Sequence, residues 1–535
     1  MCTLIIGGKI ITMADPLYAQ AVVVENGMIA AVGSETELLQ KYHPQNRMDL
    51  NGAVLIPAFM DAHSHFTQTA YALLQADLSG VSNMQEISQK IAGFINENHI
   101  KPGEWILARN YDHNLFSEKK NPALPEIDQI CPENPLVIQH KSGHMGLFNT
   151  PALNALGVTE NTVSPPGGKI ELQNGKLTGY MEENAFFEYL KKTPQPPAEK
   201  IKKALSDAQK KYASYGIATV QDGMAVKEML PLYRSLTDCN SLFVDLVAYC
   251  DVAALNFAEN EMPDTIMNYT HRFKIGGIKI FLDGSPQGRT AWMKTPYRGG
   301  EAYYGTPTMR EEDVYAAMKT AAQKQVQILA HCNGDAACEQ FLNCLERAEH
   351  EYPVLKDLRP VMIHAQFITE DQVRRAAELG VVLSFFSAHV YHWGDVHIEN
   401  FGFSRASEIS PAAWAEKYGV PFTMHQDSPV IEPDMIETLW CAANRKTKNG
   451  RLLGAHQKIS VLRALKAVTS GTAYQYFEED KKGTIEPGKT ADLTVLSADP
   501  LTTAPADLRK IQVIKTIKNG SVIYEKTGIN SKKRI

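Results

Sequence analysis

The 535-residue chain carries 54 Lys and Arg against 60 Asp and Glu, a formal charge of −6 with a pI near 6.3, and 44% hydrophobic residues. That length exceeds one ordinary domain and buries a large core, while the mild acidity gives no reason to expect nucleic acid or an anionic membrane as partner. No window approaches the roughly 18 uninterrupted apolar residues of a membrane helix, and the N-terminal run Met1–Lys9 lacks a charged n-region and cleavage site. Eight cysteines at 2, 131, 239, 250, 332, 338, 344 and 441 form no C-x-x-C pair, which argues against a disulfide framework and suits free thiols in the cytoplasm.

Residues 1–57 alternate β-rich runs with turn signals. Thr3–Met13, Ala21–Glu25 and Met28–Val32 are predicted strands, with Asn26-Gly27 as a hairpin turn. The last fifty residues repeat the style, with strands over Ala491–Leu496, Val513–Lys518 and Ser521–Tyr524, and a basic tail, Ser531–Ile535, expected to fray. Neither end has enough apolar surface to stand alone, so 1–57 and 481–535 are expected to pair as one small β-sandwich built from both termini.

Between them runs a β-then-α rhythm. Buried strands are predicted at Leu55–His65, Ile217–Asp222, Leu242–Cys250, Phe273–Asp283, Val326–His331, Val361–His364, Val381–Phe386 and Pro421–Asp427. Helical patterns over Ala198–Tyr215, Arg310–Lys324, Ala337–His350 and Glu370–Leu379 separate several of them. Eight parallel strands with intervening helices close naturally as a (β/α)8 barrel, an α/β fold, over residues 58–480. A doubly wound sheet is the alternative, but no Gly-rich fingerprint follows any strand. The stretch from His65 to Ile217 is too long for a crossover. Its helix Asn83–Asn98, strands Trp105–Arg109 and Leu136–His140, and Gly-rich turns predict an inserted α/β subdomain, about 75–195, over the barrel mouth.

Reactive groups of such a barrel stand at the C-terminal ends of its strands. There the chain places His63 and His65, then His331, His364 and His425, five of its sixteen histidines, together with Lys279 and Asp427. Chance would put one or two histidines at positions that are roughly a tenth of the chain. In a strand, His63 and His65 share a face about 7 Å apart. Imidazoles and a carboxylate converging from several strands make a borderline N/O donor set that suits Zn²⁺.

Five segments, Pro57–His65, Ile278–Ser285, His331–Asp335, Arg359–Gln366 and Asp427–Val430, together resemble the amidohydrolase superfamily, specifically its YtcJ-like branch, across nearly the whole chain. The segment Lys482–Leu493 is similar to the one by which such enzymes re-enter their β-sandwich. The resemblance implies metal ligation by His63, His65, His331 and His364, with Asp427 as ligand and catalytic proton shuttle. Lys279 stands where many relatives carry a carboxylated lysine bridging two metals; left unmodified, it would favour one ion instead. His144, in Lys141–Gly146, resembles a recurring motif and is a candidate substrate contact; Asp283, Arg289 and His389 are further candidates, with a structural role open for each.

Two departures stand out. Relatives often have Gly-Ser where this chain has His425-Gln426, and superfamily deaminases tend to carry His-x-x-Glu where this chain has His331-Cys332-Asn333-Gly334, which counts against nucleobase deamination. The expectation is a cytoplasmic hydrolase of a non-peptide carbon–nitrogen bond, in an N-substituted amide, a formamide or a cyclic amide. It would act through metal-bound hydroxide with one or two ions, Zn²⁺ foremost, on a small molecule. The alternatives are an ester or phosphotriester hydrolase on the same site, and a non-catalytic binding barrel. A homodimer is expected only by analogy, with no interface signal in the residues.

Overall fold

The computed structural model describes residues 2–299 and 302–527, so the basic tail at Ser531–Ile535 lies outside the described residues. The chain divides into two compact units, one drawn from Met1–Phe66 with Gln209–Ile535 and one from Thr67–Ala208.

The first unit is built on a curled sheet of eight parallel strands in sequential order. They are β1 (Phe59–Met60), β2 (Ile217–Ala225), β3 (Asp245–Cys250), β4 (Phe273–Phe281), β5 (Gln327–Cys332), β6 (Val361–His364), β7 (Val382–Phe385) and β8 (Phe422–Met424). Their burial is nearly continuous, which is why they read as unbroken apolar runs rather than alternating ones. Helices Ala198–Ser214, Glu311–Lys324, Asp335–Glu351 and Glu370–Glu378 fall within a residue or two of their predicted spans. The last starts at a capping box, Thr369 with Gln372. The segments beyond the two outer strands touch, where the His65 amide donates to the Ser428 carbonyl at 2.8 Å.

The predicted single strand Leu55–His65 is instead two. Val54–Pro57 joins a different sheet, antiparallel to Leu493–Leu496, and after Ala58 only Phe59–Met60 enters the curled sheet. Proline at 57 has no amide hydrogen to continue the ladder, and the chain changes sheets there. β4 and β8 likewise end early, at Phe281 and Met424, so Asp283 lies in the irregular segment and Asp427 in the turn beyond.

Strands from the two ends of the chain do pair. Val54–Pro57, Lys9–Ile11 and Tyr18–Ala19 share a six-stranded sheet with Leu493–Leu496, Val513–Lys518 and Ser521–Glu525. A four-stranded sheet holds Cys2–Ile6, Ala21–Glu25, Met28–Gly33 and Asn46–Asp49. The predicted strand Thr3–Met13 is thus split between the two sheets. One core cluster draws on both, with Ile5, Val22 and Ile29 against Leu55, Leu493 and Ile517.

The second unit holds a mixed six-stranded sheet of its own, ordered Gly168–Gln173, Lys176–Glu183, Met145–Phe148, Leu136–His140, Ile106–Tyr111 and Ala76–Asp77. Helix Met84–Asn98, capped by the Asn83 side chain, packs Ile87 and Ile91 into its core. All eight cysteines are free, and seven are buried. No helix among the described residues is long and apolar enough to cross a membrane.

Candidate metal centre

The segment after β1 is held from both sides. The Ser64 carbonyl accepts from the Gly223 amide at 2.7 Å, next to β2's irregular end, while His65 is tied to Ser428 beyond β8. A Cβ on Gly223 would lie 2.5 Å from His63 Cε1, so only glycine lets that backbone run against the imidazole. His63 therefore sits in a bend and His65 in an isolated bridge to Asp222, not in a continuous strand, with ring centroids 5.1 Å apart. Asp427 Oδ1 stands 3.4 Å from His63 Nε2 and 3.2 Å from His65 Nε2. These three residues put ligand atoms within 4.8 Å of one another. His364 and Asp427 both hold positive φ, 69° and 56°. Strained backbone of this kind at non-glycine residues gathers at functional sites.

His331 and His364 form a second pair, ring centroids 4.7 Å apart, linked to the first by a 5.6 Å separation between His364 and His63. The structure therefore gathers all four predicted histidines with Asp427, but as a tight trio and an adjoining pair.

Hydrogen bonds orient these rings, and at His63 they decide which nitrogen is bare. Gln221 spends its amide hydrogens on the Ala62 carbonyl and the Tyr476 hydroxyl, so its oxygen faces His63 Nδ1 at 2.6 Å and must accept from it. That leaves the His63 Nε2 lone pair toward Asp427. His331 Nδ1 donates to Asp283 Oδ1 at 3.2 Å, and its Nε2 accepts from the Asn333 side-chain amide at 3.2 Å, a contact that metal ligation would displace. His364 Nδ1 stands 3.1 Å from His425 Nε2, whose Nδ1 lies 2.9 Å from Ser384 Oγ. The assignment in which His364 donates to His425, and His425 to Ser384, leaves His364 Nε2 bare. Gln221, Asp283 and His425 thus orient ligand rings, as outer partners of metal-binding histidines do.

Burial sets the charges. It pulls the His63 and His364 pKa values well below the ordinary imidazole value, helped by Lys279 at His63 and by His331 and His425 at His364. Both rings are thus neutral donors at neutral pH. Burial acts to raise the Asp427 carboxyl, but contact with His65 and the surrounding imidazoles outweighs it and holds the group below its usual range. Lys279 is buried with no hydrogen-bond partner at Nζ, and desolvation brings its ammonium down to about 7. Asp61, two residues before His63, is buried and pushed up to about 8 by desolvation. Neutral imidazoles, a carboxylate, and polar atoms at His65 Nδ1, Lys279 Nζ and Asp427 Oδ1 that lack hydrogen-bond partners suit a divalent ion with N/O preference.

The remaining candidates lie elsewhere or face inward. Asp283 Oδ2 accepts from the Trp292 and Gly334 amides and Oδ1 from that of Asn333, so its contacts are with its own chain rather than with open space. Arg289 donates to the Arg298 carbonyl at 2.6 Å and covers the Tyr297 ring. His389 is buried at the start of helix His389–Phe401, its ring 5.8 Å from His364 and 4.1 Å from Phe386. His144 belongs to the second unit, is exposed, and pairs with Glu183 at 3.1 Å. Gln221 was missed at the sequence level. Its signal was an uncharged polar residue inside the apolar run Ile217–Asp222, two positions from Thr219 on the same face.

A curled parallel sheet with histidines and an aspartate at its C-terminal rim defines the metal-dependent hydrolase class. Solved structures agree on the fold: an uncharacterised metal-dependent hydrolase from Pyrococcus horikoshii OT3 superposes with a TM-score of 0.78 at 23% identity, over 94% of this chain and 99% of that one. The amidohydrolase family model matches residues 47–524, and the chain belongs to that family of hydrolases. It is similar to the putative amidohydrolase YtcJ of Bacillus subtilis (strain 168), 28% identical over 97% of this chain and 99% of the relative. It is also similar to the N-substituted formamide deformylase of Arthrobacter pascens, 27% identical over 95% and 96%.

Proposed function

We propose that this enzyme hydrolyses a non-peptide carbon–nitrogen bond in a small molecule, with N-substituted formamides, other N-substituted amides and cyclic amides as the substrate class. The observation that carries the reading is the His63–His65–Asp427 trio, with ligand atoms within 4.8 Å of one another. The formamide deformylase of Arthrobacter pascens, alike over nearly its whole length, supports the choice of bond. In this reading the curled sheet is a closed (β/α)8 barrel, and the two terminal sheets are one sandwich.

His63, His65, His331, His364 and Asp427 would hold the metal. When bound, it lowers the pKa of a coordinated water toward ~7 and polarises the substrate carbonyl. Asp427 is ionised at neutral pH and so can take the proton of the attacking water, then deliver it to the departing nitrogen. Asp283, Gln221 and His425 keep the ligand rings turned. His389, its ring 5.8 Å from that of His364, is proposed to line the substrate side.

For Lys279 the proposal is carboxylation. Its neutral amine would add carbon dioxide and shed a proton, converting an unpartnered buried nitrogen into a carbamate whose anionic oxygens could serve as metal ligands. Metal-stripped protein reconstituted with Zn²⁺ should release amine and formate from N-substituted formamides, or open cyclic amides to the corresponding amino acids. Turnover of esters or phosphotriesters alone would replace this reading with the rival hydrolase one. One ion fewer per chain in Lys279→Ala than in wild type would support the bridge, and equal metal content in both would refute it.

A further inference from the structure

The second unit repeats, on a smaller scale, the device that builds the barrel centre. Strands Ile106–Tyr111 and Leu136–His140 run parallel and adjacent, with Tyr111 paired to His140. Asn110, at φ 64°, and a register shift between Ala108 and Tyr111 turn the chain at the first strand's end. Asp112 and His113 therefore emerge beside the carboxyl end of the second strand, where His140 stands. Crevices at the carboxyl ends of parallel strands are the usual place for ligands in α/β sheets.

The three side chains offer one ligand atom each within 4.8 Å of one another. Asp112 Oδ1 lies 3.5 Å from His140 Nε2, and the His113 and His140 ring centroids are 5.2 Å apart. His140 is more than nine-tenths buried, yet its Nε2 has no hydrogen-bond partner, and neither has the buried His113 Nδ1. Buried polar atoms without partners are rare and call for an explanation. We propose that Asp112, His113 and His140 form a second metal site, separate from the barrel centre, for a divalent transition ion of the zinc class.

The surrounding groups bear on its strength. Burial lowers the His140 pKa, so its ring is neutral and able to donate a lone pair. Burial acts to raise Asp112, but Lys141 and the Asn114 donors outweigh it and hold the carboxyl at about 2. Lys141 sits on Asp112 Oδ2, while Asn114 donates twice to Oδ1. The ion would thus share Oδ1 beside a neighbouring positive charge. Ser142 presents both its amide, at 3.0 Å, and its hydroxyl, at 2.9 Å, to His140 Nδ1. Metal binding selects the tautomer in which Nδ1 donates to that hydroxyl, at the expense of the amide contact. Three protein ligands, a nearby ammonium and this tautomer exchange make the site weaker than the barrel centre.

The test uses full-length protein, metal-stripped and titrated with Co²⁺, read by its ligand-field absorption and by metal content after gel filtration. His63→Ala/His65→Ala removes the barrel trio, and the expected result is one remaining equivalent of Co²⁺. Adding His113→Ala/His140→Ala to that variant should abolish it. Asp112→Asn, nearly isosteric, should weaken it at least tenfold while leaving far-UV circular dichroism unchanged. The proposal is overturned if the barrel variant is folded and binds no Co²⁺, or if its remaining ion survives the loss of His113 and His140. Failure of the barrel reading is separable: it would appear as wild type and the barrel variant binding the same single equivalent.

Discussion

Asp283 illustrates how a single contact distinguishes two roles. A residue that meets substrate would change KM and leave metal affinity alone, whereas one that holds His331 by Nδ1 acts through the ligand. Asp283→Asn is expected to weaken metal binding by about 10- to 100-fold, as is typical when the outer partner of a ligating histidine is lost; chelator competition measures it. A second residue-scale prediction concerns His397, which is buried, with Nε2 2.8 Å from Gln366 Nε2, and is pulled down to about 3 by desolvation. An imidazole with a depressed folded pKa binds fewer protons folded than unfolded, so it costs no stability above the unfolded value near 6.5. The penalty grows as pH falls from there toward 3, by about 1.4 kcal/mol per unit. His397→Asn should therefore reduce the loss of unfolding free energy between pH 7 and pH 5.5 by roughly 1 kcal/mol, read from urea melts at both values. An unchanged difference would mean that His397 becomes protonated without unfolding.

At the scale of elements, the C-terminal strands are fastened to the curled sheet by buried charge. Asp245, at the start of β3, binds both Lys482 and Lys518, and Lys518 also reaches Asp492 at 2.7 Å. Burial opposes ionisation of Asp245, but the two lysines outweigh it and carry its carboxyl far below the usual range. Removing one partner of such a cluster strands the others in a low-dielectric interior. Asp245→Leu should destabilise the protein by about 3–5 kcal/mol, seen as a lower urea midpoint. Joint replacement of Asp245, Lys482, Lys518 and Asp492 by apolar residues should recover much of that loss, because Glu478 keeps Lys274 and no charge of the cluster is left buried and unpaired.

The whole molecule is two units with separate cores. The clusters around Ile87, Ile106 and Ile138, and around Phe148, Met181 and Phe186, are made wholly of residues between 76 and 190. A fragment spanning 67–208 is accordingly expected to fold alone and melt cooperatively. A broad, non-cooperative transition by circular dichroism would show that it depends on the rest of the chain.

Strand and helix positions were legible in the residues because apolar runs and caps are local signals: Val361–His364 and Ala21–Glu25 fall where their side chains put them. The gathering of His63, His331 and His364 at the rim of the curled sheet was legible too, since parallel strands deliver their C-terminal ends to one side. The split of Leu55–His65 at Pro57 was not, because an apolar strand reads the same whichever sheet it joins. Nor were Gln221 behind His63, the inward turn of Asp283, or the meeting of Asp112 with His140. Those depend on which atoms approach from elements far apart in sequence.

One requirement therefore came from composition and order along the chain, that imidazoles and a carboxylate be brought to the rim of a parallel sheet. Only packing decided which ring nitrogen is bare, which carboxylate supports rather than binds, and that Lys279 has no partner, because hydrogen bonds and desolvation are set by three-dimensional neighbours.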